Sequence, residues 1–165
     1  MSENVKKYEK WGLLFLLVAG TLFHFMWVWL GSLYELAWLW PVNEAVWEHL
    51  KMSITPILML ALIEYVPLRH ESQNFFLAKG ISMLIAIGMV LGGFYTYTFF
   101  TGDSILFMDI TLFYSGLILG QFAAYNIQVK TKQSMLLNLL GVLIVVVLLR
   151  SEERRVGKEC RSRWS

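Results

Sequence analysis

Residues 41–51 read PVNEAVWEHLK and stand between two apolar runs, 11–30 and 52–66. Glu44, Glu48, His49 and Lys51 fall within eight positions at or just inside a membrane boundary. Membrane segments rarely hold such groups, because placing a charge in hydrocarbon costs several kcal/mol. The segment therefore marks the end of one helix and the start of the next. It also locates the polar chemistry of the protein without naming a reaction.

Outward from it the apolar runs continue at 75–100, 105–127 and 135–149. The 165 residues are 57% hydrophobic and 16% charged, whereas soluble domains run at about 45–50% and about 25%. A helix crosses the bilayer core with about 20 apolar residues. The pattern predicts an all-α polytopic transmembrane bundle in one domain, 1–149. About five helices are expected, near 11–31, 44–66, 75–100, 104–127 and 134–149.

The final stretch, RSEERRVGKECRSRWS (150–165), departs from this pattern. It back-translates codon for codon into a common short-read sequencing adapter, beginning AGA-TCG-GAA-GAG-CGT-CGT. We treat it as an artefactual tail outside the fold, and expect truncation at the C-terminal side near Leu149, with further helices lost. Its six basic and three acidic residues account for the basic balance: without them the formal net charge falls from +2 to −1. Nothing then points to nucleic acid. Cys160, the single cysteine, also lies in the tail, which excludes a disulfide framework or a cysteine metal site elsewhere.

Loop charge sets the expected orientation. Lys6, Lys7 and Lys10 precede the first run, Arg69 and Lys79 fall in the 67–79 connection, and Lys130 and Lys132 in the 127–134 connection. The alternate connections hold only Lys51. Cytoplasmic loops carry the Lys/Arg excess, so the N-terminus is expected in the cytoplasm of a multi-pass cell-membrane protein. Trp27, Trp29, Trp38, Trp40 and Trp47 then form an outer aromatic belt, with Trp11 at the inner surface. Asn43 is a candidate N-cap for the second helix, and Asp103 or Ser104 for the fourth. Pro56 should bend the second helix. The 33–40 piece is too short to span and reads as interfacial or re-entrant.

Helical spacing then sorts the polar residues. His24 lies 13 residues into the first helix, roughly 20 Å from its start, on a face shared with Gly20 and Gly31. His49, Ser53, Pro56, Leu60 and Glu64 form one stripe of the second helix, and Glu44 and Glu48 stack beside it. Asp109 shares a face with Phe113, Gly116 and Gly120. Gly88, Gly92 and Tyr95 share another, and the four paired glycines are expected to pack helices closely.

His24, Asn43, Glu44, Glu48, His49 and Asp109 thus form a candidate polar cluster near the outer leaflet, with Tyr95, Tyr97 and Ser53 as hydrogen-bond partners. Plainer readings stand beside it. Glu44, Glu48 and Lys51 can be a wet helix-end ion-pair set, and His24 a packing residue. Gln121, Asn126 and Asn138 are expected to bond between helices, and Glu64 to pair with Arg69 at the surface.

HFMWVW (24–29), PVNEAVWEHLK (41–51), Pro56, Asp109–Ile110 with Phe113, and Gln121 together resemble an uncharacterised family of small bacterial multi-pass membrane proteins. Its signature is HF followed by PVNE(S/A)xWEHLK, and Ala45 stands here at the variable position. The resemblance covers most of 11–127 and implies that His24, Asn43, Glu44, Trp47, Glu48, His49 and Asp109 match the family's polar signature. As a domain of unknown function, it implies no reaction.

Three functions remain open. His24, Glu48, His49 and Asp109 could hold a divalent metal such as Zn, with Glu44 or Glu48 as general base, in an intramembrane hydrolase acting on a lipid-like substrate. Asp109 and His24 could serve a small proton-coupled transporter. The cluster could instead be structural, in a scaffold or accessory subunit. Beyond the lipid bilayer, the partners left open are a second copy of the same protein or another membrane protein.

Overall fold

The computed structural model describes residues 2–30, 39, 41 and 46–162, with only the backbone described for 2, 27, 28 and 152–162. These residues form six helical segments and no strand. They are α1 (Ser2–Trp29), α2 (Val46–His49), α3 (Lys51–Leu68), α4 (Phe75–Thr101), α5 (Leu106–Lys130) and α6 (Met135–Ser162). Four stretches are long and apolar enough to cross a membrane: Glu3–Met26, Val46–Leu68, Phe75–Thr101 and Leu106–Lys130. Met135–Ser151 is a shorter apolar helix. Leu62, Val66, Phe99 and Phe122 point outward, each at least 65% exposed. An apolar exterior of this kind is consistent with a lipid surround.

The first helix begins at Ser2, not near 11, so KKYEK lies within it. Its inward stripe is Val5, Glu9, Gly12, Leu16 and Ala19, the spacing of one helical face. The second expected helix is broken at Leu50 into α2 and α3, while the helix runs on through Pro56. Proline lacks an N–H and so frees the carbonyl one turn back, that of Met52. α1 comes close there: a Cβ added to Gly20 would stand 3.4 Å from that oxygen.

The α4–α5 turn uses Gly102 at φ 81°, a left-handed conformation that costs a side chain but not glycine. Neither Asp103 nor Ser104 caps α5. Its N-cap is Ile105, with no side-chain cap bond. The Ile105 amide donates instead to the Tyr97 hydroxyl at 3.2 Å, which satisfies one of the free amides at this helix end. The expected cap Asn43 and the 33–40 piece, apart from Leu39, lie outside the described residues.

The expected glycine packing splits in two. Gly116 and Gly120 lie under α4: an added Cβ would stand 3.2 Å from the Ala86 Cα and 2.7 Å from the Ser82 carbonyl oxygen. Among the described residues, Gly88 and Gly92 have nothing within 4 Å, so the other G-x-x-x-G faces away from the described helices. The helices enclose a central apolar layer of Leu16, Met52, Ile57, Leu60, Met83, Ala86, Phe113 and Leu117.

Asn74 ties together one end of the bundle. It takes φ 46°, a region that asparagine tolerates better than most residues, and is 1% exposed. Its Nδ2 donates to Thr131 Oγ1 and to the Lys132 carbonyl at 2.8 Å, and its Oδ1 accepts from the Ser134 amide at 2.8 Å. Asn4 Nδ2 donates to Glu71 Oε1 at 3.0 Å, which brings the N-terminus to the same end. Asn74→Ala removes these bonds and leaves buried polar groups unpaired. We expect it to destabilise the protein by about 2 kcal/mol in thermal unfolding in detergent.

Candidate functional site

At the opposite end, α1, α2, α3, α4 and α5 surround a cavity of about 650 Å³. This is within the range of sites that hold small molecules. His24 on α1 and His49 at the end of α2 share its wall, both half-buried, with ring centroids 5.5 Å apart and planes inclined by 36°. Asp109 and Tyr114 line the α5 side, and Phe25, Phe94 and Phe113 supply much of the apolar lining. Asp109 lies in the first turn of α5, where a carboxylate is favoured by the helix dipole.

Two hydrogen-bond relays fix the polar groups. Thr21 Oγ1 donates to the Leu17 carbonyl at 2.8 Å, so at its 2.7 Å contact with Tyr114 the tyrosine hydroxyl is the donor. The Tyr97 hydroxyl accepts from Ile105 and donates to Asp109 Oδ1. The expected pairing of Tyr97 with Asp109 is therefore present. Tyr95 instead packs its ring 6.3 Å from that of Trp47, and Ser53 Oγ is buried without a hydrogen-bond partner.

Of the expected cluster, His24, His49 and Asp109 come to one cavity, while Asn43 and Glu44 lie outside the described residues. Glu48 is not among the residues lining the cavity. Its carboxylate receives Lys51 Nζ at 2.7 and 2.8 Å, with both residues at most 2% exposed. The helix-end ion pair is thus present but dry. Among the described residues, no three His, Cys, Asp or Glu side chains gather closely enough to hold a metal ion. The histidine pair alone is compatible with half of such a site. Two imidazoles on one tetrahedral zinc, with Zn–N about 2.0 Å, place their centroids roughly 5 Å apart.

A second polar group lies at the Asn74 end. Lys79, expected in a loop, lies inside α4 at 1% exposure. Its Nζ is 2.9 Å from Glu9 Oε1 and 2.5 Å from Glu64 Oε2. Glu64 therefore pairs with Lys79 across two helices and not with Arg69 at the surface. Gln128 Nε2 donates to Glu9 Oε1, and Gln121 Nε2 to the Glu9 carbonyl at 3.3 Å. Gly12 makes room: an added Cβ would stand 2.6 Å from Glu64 Oε1 and 2.9 Å from Gln121 Nε2.

The expected interhelical bond of Gln121 is thus made. Asn138 also bonds across helices, accepting the Phe76 amide at 3.2 Å, but among the described residues Asn126 bonds only within α5, to the Phe122 carbonyl. Sequence reasoning missed the Glu9–Lys79–Glu64 group. Its signal was Glu64 on the inward stripe of Ser53 and Leu60, and Gln128 seven residues after Gln121, on the same face of α5.

No curated protein and no solved structure matches the sequence. One family model, a family of unknown function (DUF6512), matches residues 1–151. With nearly the whole length matched, this all-α protein belongs to the DUF6512 family of unknown function.

Proposed function

We propose that this protein binds an amphipathic, lipid-like molecule in the two-histidine cavity. Its apolar part would lie against Phe25, Phe94 and Phe113, and its polar head against His24, His49 and Asp109. The observation that carries this reading is the pair of imidazoles from separate helices, 5.5 Å apart on the wall of a cavity of about 650 Å³. Each imidazole ring offers a nitrogen that can donate and one that can accept a hydrogen bond, so the pair can engage either kind of group on the bound head. The basic residues gather with the N-terminus at the Asn74 end, which supports a cytoplasmic N-terminus and a cavity in the outer leaflet of the cell membrane.

Protein purified in mild detergent should carry a co-purifying lipid, detected by native mass spectrometry. His24→Ala with His49→Ala should weaken its binding about tenfold or more, the effect of losing one or two strong hydrogen bonds, without unfolding the bundle. Lipid retained in full by the double variant would refute the assignment.

A zinc hydrolase is a second reading, favoured by the same imidazole separation. In it His24 and His49 would hold the metal, and the substrate would supply the remaining donors. Metal analysis decides it: zinc in the purified protein, lost in the double variant, supports the hydrolase over simple binding. A continuous proton relay draws less support. Leu16, Leu60, Met83 and Leu117 fill the layer between the cavity and the Glu9–Lys79–Glu64 group.

A further inference from the structure

Glu9, Glu64 and Lys79 come from three helices and are at most 4% exposed, so two carboxylates share one ammonium away from water. Each lies within a candidate membrane span. Glu64 and Lys79 are both four residues from a helix end, about 6 Å deep at 1.5 Å per residue. Around them the buried side chains are acceptor-rich. Glu9 Oε2, Glu64 Oε1 and the side-chain oxygens of Gln121 and Gln128 have no hydrogen-bond partner, and both glutamines are at most 3% exposed. The amide groups of Gln121 and Gln128 already donate to Glu9, so their oxygens belong to the same pocket of polar groups. Ser82, one turn beyond Lys79 on α4, adds a further unpartnered oxygen at 0% exposure.

A carboxylate left uncompensated in such a setting is strongly unfavourable, and a group of unpartnered buried oxygens suits a hard cation or a proton. We infer that the Glu9–Glu64–Lys79 group is a binding site for one monovalent cation, a proton or an alkali ion, which balances the second carboxylate. Gln121, Gln128 and Ser82 supply its remaining oxygen contacts. The site is separate from the two-histidine cavity: Glu9 and His24 are fifteen residues apart on α1, roughly 22 Å. It stands whether or not that cavity takes a lipid.

The test uses the purified full-length protein in detergent. If the cation is a proton, infrared spectra at neutral pH show a neutral-carboxyl carbonyl band that shifts in heavy water. If it is an alkali ion, exchanging choline chloride for sodium or potassium chloride at constant ionic strength raises the unfolding temperature by a few degrees. Either Glu9→Gln or Glu64→Gln leaves one carboxylate with one ammonium and abolishes the signal, whichever oxygen carries the cation. Wild-type protein with neither signal overturns the inference, and so does a signal that survives in both single variants.

Discussion

Lys79→Met is expected to cost about 3–5 kcal/mol, the range for removing one partner of a buried ion pair and stranding the other. The loss is that large because Lys79 serves two acids at once, Glu9 at 2.9 Å and Glu64 at 2.5 Å, with all three side chains hidden from water. Domain stabilities are commonly about 5–15 kcal/mol, so the variant should melt far below the wild type or fail to accumulate in the membrane. The triple variant Glu9→Gln, Glu64→Gln, Lys79→Met should recover most of the loss, since replacing a whole buried charge group by neutral residues is close to energetically neutral. Thermal unfolding of the three proteins in one detergent checks both halves. A single Lys79→Met variant as stable as the wild type would mean that the lysine does not lie between the two acids.

The helices were legible because apolar runs of membrane length leave few alternatives to helix. The inward faces were legible because charged and small residues recur at helical spacing. That spacing gave the stripe of Ser53, Pro56, Leu60 and Glu64, and it turned Asp109 toward the Gly116 and Gly120 face. It also brought His24 and His49 to one end, where the cavity is. Loop arithmetic was the weak step. Counting Lys79 as a loop charge and placing Glu9 ahead of the first helix treated position in the sequence as exposure. A charge near a helix end can face either way, and starting α1 at Ser2 carries Glu9 inward.

Glycine spacing was half informative for a related reason. A G-x-x-x-G pattern marks a face that permits close approach, but the partner helix must be on that face for the spacing to matter. α5 lies against Ala86 and Ser82 on α4, and α6 crosses α4 at Gly80, while Gly88 and Gly92 have no neighbour within 4 Å among the described residues. Gly141, single in a run of leucine, isoleucine and valine, carries no motif at all. Even so, it marks a close approach of α4 and α6.

Gly141→Ala should destabilise the protein by about 3 kcal/mol, the upper end of the usual cost of overpacking. An added Cβ would run into the Leu77 amide nitrogen and the Phe76 carbonyl carbon, and would stand 2.5 Å from the Leu77 Cα. These are backbone atoms inside a helix, so no rotamer change relieves the clash, and α6 must move off α4. The move also breaks the 3.2 Å bond from the Phe76 amide to Asn138 Oδ1. That amide is in the first turn of α4, where N–H groups have no partner within their own helix, and Asn74 offers no side-chain cap. Gly88→Ala and Gly92→Ala meet open space, and alanine favours helix by up to about 1 kcal/mol over glycine. Those two should melt at or above the wild-type temperature and Gly141→Ala well below it. The reverse order would place α6 on the opposite face of α4.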